Sequence, residues 1–146
     1  MPTCKAFSVR QPDAWFLVQG LKTCENRTWH TNHRGTLIIH AGSKAMTKAD
    51  WAYLRDICEQ LHLPVPSPDD PHLQAGGLIG AVYLADVTDQ PNPDWEAGWW
   101  DEQSLAWLLD GAFLFDELIP MKGRLGLFSV DLPEEIIWHE PDVYAY

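Results

Sequence analysis

The chain has 146 residues, 46% hydrophobic and 21% charged, with a formal charge of −11. That length makes one domain with a buried core, and the composition is that of a globular protein. The lack of a long apolar run excludes a helical membrane span, and the acid excess argues against a protein that coats duplex DNA.

The opening residues, MPTCKAFSVRQPDAW, lack the apolar stretch of an export signal, and Cys4, Cys24 and Cys58 are odd in number and widely spaced. Both features lead to the expectation of a cytoplasmic protein with reduced thiols. Charge is unevenly distributed: residues 1–44 carry a net +4 and residues 45–146 a net −15. The cations concentrate in GLKTCENRTWHTNHRG, where Lys22, Arg27, Arg34, His30 and His33 surround one acid, Glu25. Such asymmetry points to a local site for an anionic or polar ligand.

In chain order, CKAFSVR over residues 4–10 reads as a strand. QPDAWFLVQG reads as a short helix, with Pro12 and Asp13 in its first turn and Gly20 as its C-terminal cap. CENRTW follows as a strand whose alternation puts Glu25, Arg27 and Trp29 on one side and Cys24, Asn26 and Thr28 on the other. HTNHRG is a turn and TLIIHAG an apolar strand. The clearest helix runs from Ser43 to about Leu61, with Thr47 and Asp50 as a capping pair and Trp51, Leu54, Cys58 and Leu61 as its stripe. HLPVPSPDDPHLQAGG is a proline-rich loop, and LIGAVYLADVTD a long strand in which Gly80 marks a bulge or a close approach. QPNPDWEAGWW is a tryptophan-dense loop. SLAWLLDGAFLFDEL is expected to form two strands turning at Asp110-Gly111, and KGRLGLFSVDL the last strand before an acidic tail from Pro133. Six strands and two helices predict an α+β fold, with an antiparallel sheet curled into a small β-barrel and helices outside it.

No paired short Cys or His spacing announces a metal site, so none is expected. Cys24 should face the core rather than act as a nucleophile. G-x-S-x-G, P-loop and dinucleotide fingerprints are all missing, and no cofactor is predicted. What remains is Lys22, Glu25 and Arg27. A carboxylate between two cations stays ionised and can accept from an amino group, while lysine can donate to a carbonyl or phosphate. The same triplet also makes an ordinary salt bridge on a strand.

The runs SVRQP, GLKTCENR, RGTLIIHA and KGRLGLF, in that order, resemble the ASCH domain, the homology domain of activating signal cointegrator 1. Its signature G-x-K-x-x-E-x-R is met by Gly20, Lys22, Glu25 and Arg27. The resemblance covers about Ala6 to Val130 and implies a PUA-like fold over residues 1–132, with 133–146 as an acidic extension. It implies recognition of RNA, or of a single modified or unmodified base, in a cleft lined by Lys22, Glu25 and Arg27. Ser8, Arg10, Gln11, His40 and Lys122 fall in the flanking motifs and are proposed to line the same cleft. One branch of the family hydrolyses N4-acylated cytidine, which would make Lys22 and Glu25 catalytic. That branch has a threonine where Glu25 stands here, so its nucleophile has no match, and Glu96 or Glu102 would have to supply the downstream acid. Another branch is described as ribonuclease. Of the tryptophans, Trp15, Trp51 and Trp107 fit core stripes. Trp99 and Trp100, in the polar loop beside Trp95, are the better candidates to stack on a base, and Arg34 and Lys44 could reach phosphates.

Overall fold

A computed structural model describes residues 3–90, 99, 101 and 103–141. Its strands are β1 (Thr3–Val9), β2 (Cys24–Arg27), β3 (Gly35–Ala41), β4 (Gly77–Thr88), β5 (Leu105–Pro120), β6 (Phe128–Asp131) and β7 (Trp138–His139), and its helices α1 (Asp13–Val18) and α2 (Lys48–Gln60). A 3-10 turn at Pro71–Leu73 lies on the path from α2 to β4. The strands form one mixed sheet in the order β2-β5-β4-β3-β1-β6, with β7 added on β5.

β3 is apolar along nearly its whole length because both of its faces are covered. Leu37, Ile39 and Ala41 enter a core with Phe7, Leu17 and Trp107, whereas Ile38 enters a second with Ala6, Phe115 and Phe128. A central strand reads as a continuous hydrophobic run for this reason. β1 runs parallel to β3, and a parallel pair needs a crossover, which α1 and β2 supply. This register sets Ser8 directly opposite His40. α2 is started by the expected capping box, in which Thr47 Oγ1 accepts from the Asp50 amide at 3.1 Å and Asp50 Oδ2 accepts from the Thr47 amide at 2.9 Å. Its buried Leu54 and Cys58 pack with Trp15 and Phe16 of α1.

Three expectations are corrected. The sheet is mixed, not antiparallel, because β1 runs parallel to β3 across the crossover. The sheet is open, not a barrel. Closure would need a ladder between the end strands β2 and β6, and among the described residues β2 pairs with β5 and β6 with β1. Nor does Asp110-Gly111 turn a hairpin, because β5 is a single strand. It pairs with β4 on both sides of the glycine, Leu109 opposite Leu84 and Ala112 opposite Val82, so an extra residue is absorbed as a bulge with Gly111 at φ 97°. At Gly80 a side chain would collide with the Phe113 carbonyl, the close approach expected there. Beyond Pro133, β7 pairs with β5 and its Trp138 packs edge-on to Phe115, with ring centroids 5.1 Å apart.

Candidate functional site

Lys22 is delivered by the end of α1. Gly20, at φ 73°, permits a Schellman-type cap in which the Gly20 amide donates to the Leu17 carbonyl and the Leu21 amide to the Phe16 carbonyl. The Lys22 amide donates to Phe16 as well, at 3.1 Å, which pins the backbone at the start of the signature. From there Lys22 Nζ reaches Glu25 Oε1 at 3.4 Å and Asp13 Oδ2 at 3.5 Å. Strand alternation brings Arg27 to the same side, with Nη2 3.9 Å from Glu25 Oε2. The three signature residues thus converge, as the alternation predicted.

They are also largely enclosed. Lys22 is 5% exposed and Glu25 6%. The Trp99 ring lies 5.7 Å from Lys22 Nζ and packs on Phe16. Asn26 holds this cover from below: its Nδ2 donates to the Trp99 carbonyl at 2.6 Å and its Oδ1 accepts from the Asp101 amide at 2.9 Å. Tyr53 closes the far side, donating to Asp13 Oδ1 at 3.2 Å. Burial first, then the Asp13 and Glu25 charges, push its phenol well above the usual tyrosine range. An amine facing two carboxylates under an indole is held as a charge partner. Glu25 Oε2 and Arg27 Nε are buried without a hydrogen-bond partner among the described residues.

A second group lies at the end of the parallel pair. Ser8 Oγ is 2.9 Å from His40 Nδ1, and His40 Nε2 is 2.6 Å from the Met121 carbonyl oxygen. His40 is 1% exposed. These residues line a cavity of about 790 Å³ with Lys122 and Arg124, within the size range of small-ligand sites. A smaller hollow of about 170 Å³ adjoins it, lined by Phe7, Arg27 and Trp29. Ser8, Arg124 and Leu125 border both, so the two form one groove. Arg27 is positioned there by Nη2 donating to the Ser8 carbonyl at 2.9 Å and by its guanidinium lying 4.8 Å from the centre of the Phe7 ring. Among the described residues, the groove lining contains Arg27, Lys122 and Arg124 and no carboxylate.

The remaining predicted residues are dispersed. Arg10 is exposed and pairs with Asp50 at 3.4 Å. Gln11 is buried and ties α1 to the 3-10 turn, donating to the His72 and Gln74 carbonyls at 2.8 and 2.9 Å. Lys44 borders a separate cavity beside Gln11 and Trp51, and Arg34 pairs with Asp86. Lys22 borders a hollow of about 390 Å³ whose lining includes Asp110 and Glu140. Trp15 and Trp107 are core. Trp95, Glu96, Trp100 and Glu102 lie outside the described residues. Arg124 was not anticipated; the signal for it was KGRLG itself, two cations between β5 and β6 with no acid among them.

The chain is thus a mixed sheet with a cation-lined groove at its parallel pair, beside a lysine-carboxylate-arginine cluster. A sequence profile described as the ASCH domain matches residues 7–123, and the chain belongs to the ASCH domain family. It is similar to activating signal cointegrator 1 of Homo sapiens, 38% identical over 84 residues, or 57% of this chain, and to that of Mus musculus, 37% identical over 84 residues. The matched segment is 14% of the length of each of these relatives.

Proposed function

We propose that the chain recognises a nucleotide of single-stranded RNA, or a free nucleoside, modified or unmodified, in the groove bounded by Ser8, His40, Arg27, Lys122 and Arg124. One observation carries this reading: among the described residues the groove is lined by Lys122 and Arg124, which pair with no acid, and by Arg27, with no carboxylate in the lining, on a chain of charge −11. Cations near a hollow of nucleotide size suit a phosphate with its base beside it, and the acidic remainder repels longer polyanions. The half-buried Trp29 offers aromatic surface at one end. Membership of the ASCH family agrees with a nucleic-acid ligand.

Neither enzymatic alternative gains a specific observation. For N4-acylcytidine hydrolysis, Lys22 would have to leave two carboxylates and emerge from under Trp99. For ribonuclease chemistry, both nitrogens of His40 are already engaged. The test is fluorescence anisotropy of the whole chain with a short single-stranded RNA and with duplex DNA of equal length. The expected result is salt-sensitive binding of the single strand, weakened by Lys122→Ala and Arg124→Ala together. Equal binding of both ligands, or binding indifferent to those substitutions, contradicts the reading.

A further inference from the structure

The His40 ring determines what the groove can accept. A carbonyl oxygen only accepts hydrogen bonds, so the 2.6 Å contact with Met121 requires the proton on Nε2. In the neutral ring Nδ1 then has a bare lone pair. At 2.9 Å from that lone pair, Ser8 must donate its hydroxyl proton to it. The proton of Ser8 is committed inward, and what its oxygen has left to offer the groove is lone pairs.

Ser8 lines both parts of the groove, where a ligand meets those lone pairs. The backbone of Gly123 packs directly against the pair: a Cβ at this position would collide with Ser8 Oγ and come within 2.8 Å of His40 Cε1 and 2.9 Å of His40 Nδ1, so only glycine lets the loop of Lys122 and Arg124 lie so close.

We propose that Ser8 Oγ, where the two hollows of the groove meet, is a hydrogen-bond acceptor that selects ligands carrying an N–H or O–H donor beside their phosphate. The inference rests on the nucleic-acid reading above and sharpens it. In a nucleotide the donor is either the ribose 2′-hydroxyl or an exocyclic amino group of the base, and a bare phosphate oxygen or a carbonyl edge is rejected there. The cations meet phosphate; Ser8 does the choosing.

The experiment measures anisotropy of oligo-rU, oligo-dU, 2′-O-methyl oligo-U and oligo-rC against the unaltered chain and Ser8→Ala, with unfolding curves to show that the variant is folded. Removing one such hydrogen bond lowers affinity about two- to tenfold. If the donor is the 2′-hydroxyl, Ser8→Ala weakens oligo-rU and oligo-rC and leaves oligo-dU and the 2′-O-methyl strand unchanged. If it is a base amino group, oligo-rC alone is weakened. Equal loss for all four strands, or no loss for any, overturns the proposal while leaving nucleic-acid binding intact; no binding by the unaltered chain overturns both. The premise has its own readout. The ¹⁵N spectrum of His40 at alkaline pH is expected to show a protonated Nε2 and a bare Nδ1, and the opposite tautomer overturns the proposal.

Discussion

Two clusters of charge drawn from the same family motifs behave in opposite ways. At the end of α1, Lys22 is 5% exposed and shared between Asp13 and Glu25 beneath Trp99. At the end of the β1–β3 pair, Lys122 and Arg124 stand on an exposed loop and line a groove with no acid in it. Buried charge must be paired, and once paired it holds the fold; exposed charge with no partner is free for a ligand. The comparison teaches that matching a signature does not tell which of its charges meet the ligand.

The largest effect should come from breaking the buried cluster. Lys22→Met strands two carboxylates, one of them buried, and is expected to cost about 3–5 kcal/mol in urea unfolding. A cost within about 0.5 kcal/mol, typical of a surface position, would erase the distinction between the two clusters. Asn26→Ala removes the clamp on Trp99 and Asp101. It should cost about 1–2 kcal/mol, seen as amide exchange at Asp101 faster by about 5- to 30-fold. Lys122→Ala with Arg124→Ala should leave unfolding unchanged to within about 0.5 kcal/mol. The same pair should lower the salt slope of single-strand binding by about 1.4.

The smallest effect is a pH dependence away from both clusters. Burial pulls the His72 imidazolium down. Its hydrogen bonds to Asp70 and to the Phe115 carbonyl, with the Asp70 charge, outweigh this and leave it above its ordinary 6.5. Burial likewise raises Asp70, and the bonds from His72 and Trp15 outweigh it, leaving the carboxyl below its ordinary 3.8. The stability from His72 is therefore complete below about pH 6.5 and lost as pH rises through the raised value. That from Asp70 is present above its ordinary 3.8 and lost as pH falls through the lowered value. Asp70→Asn should flatten both limbs of a urea-midpoint profile, while Lys122→Ala should leave them alone.

Much of this molecule is legible in its residues, with a clear limit. Period-two alternation put Glu25 and Arg27 on one side, Gly20 marked the end of α1, and Thr47 with Asp50 marked the start of α2. These are local signals, set by neighbouring residues. Asp110-Gly111 misled because the same dipeptide serves a tight turn or a bulge; the choice was made by β4, which pairs with β5 on both sides of it. The barrel misled for a related reason. Strand count says nothing about whether β2 and β6 meet, and in the described sheet they are its opposite ends. At the site, alternation could show that Glu25 and Arg27 share a side, but not that Trp99, from 74 residues beyond Glu25, would cover it. Nor could it show that the parallel register would set Ser8 against His40, because that pairing is made through a crossover.

The account stands on the groove being where the ligand sits. Its most direct test is a ¹⁵N chemical-shift titration of the whole chain with a short single-stranded RNA. The account predicts that the amides of Gly42, Ser43, Gly123, Arg124 and Gly126 move together and saturably, with Thr23 and Gly111 still. Shifts centred on Thr23, Asp110 and Gly111, beside the hollow that Lys22 borders, would contradict it.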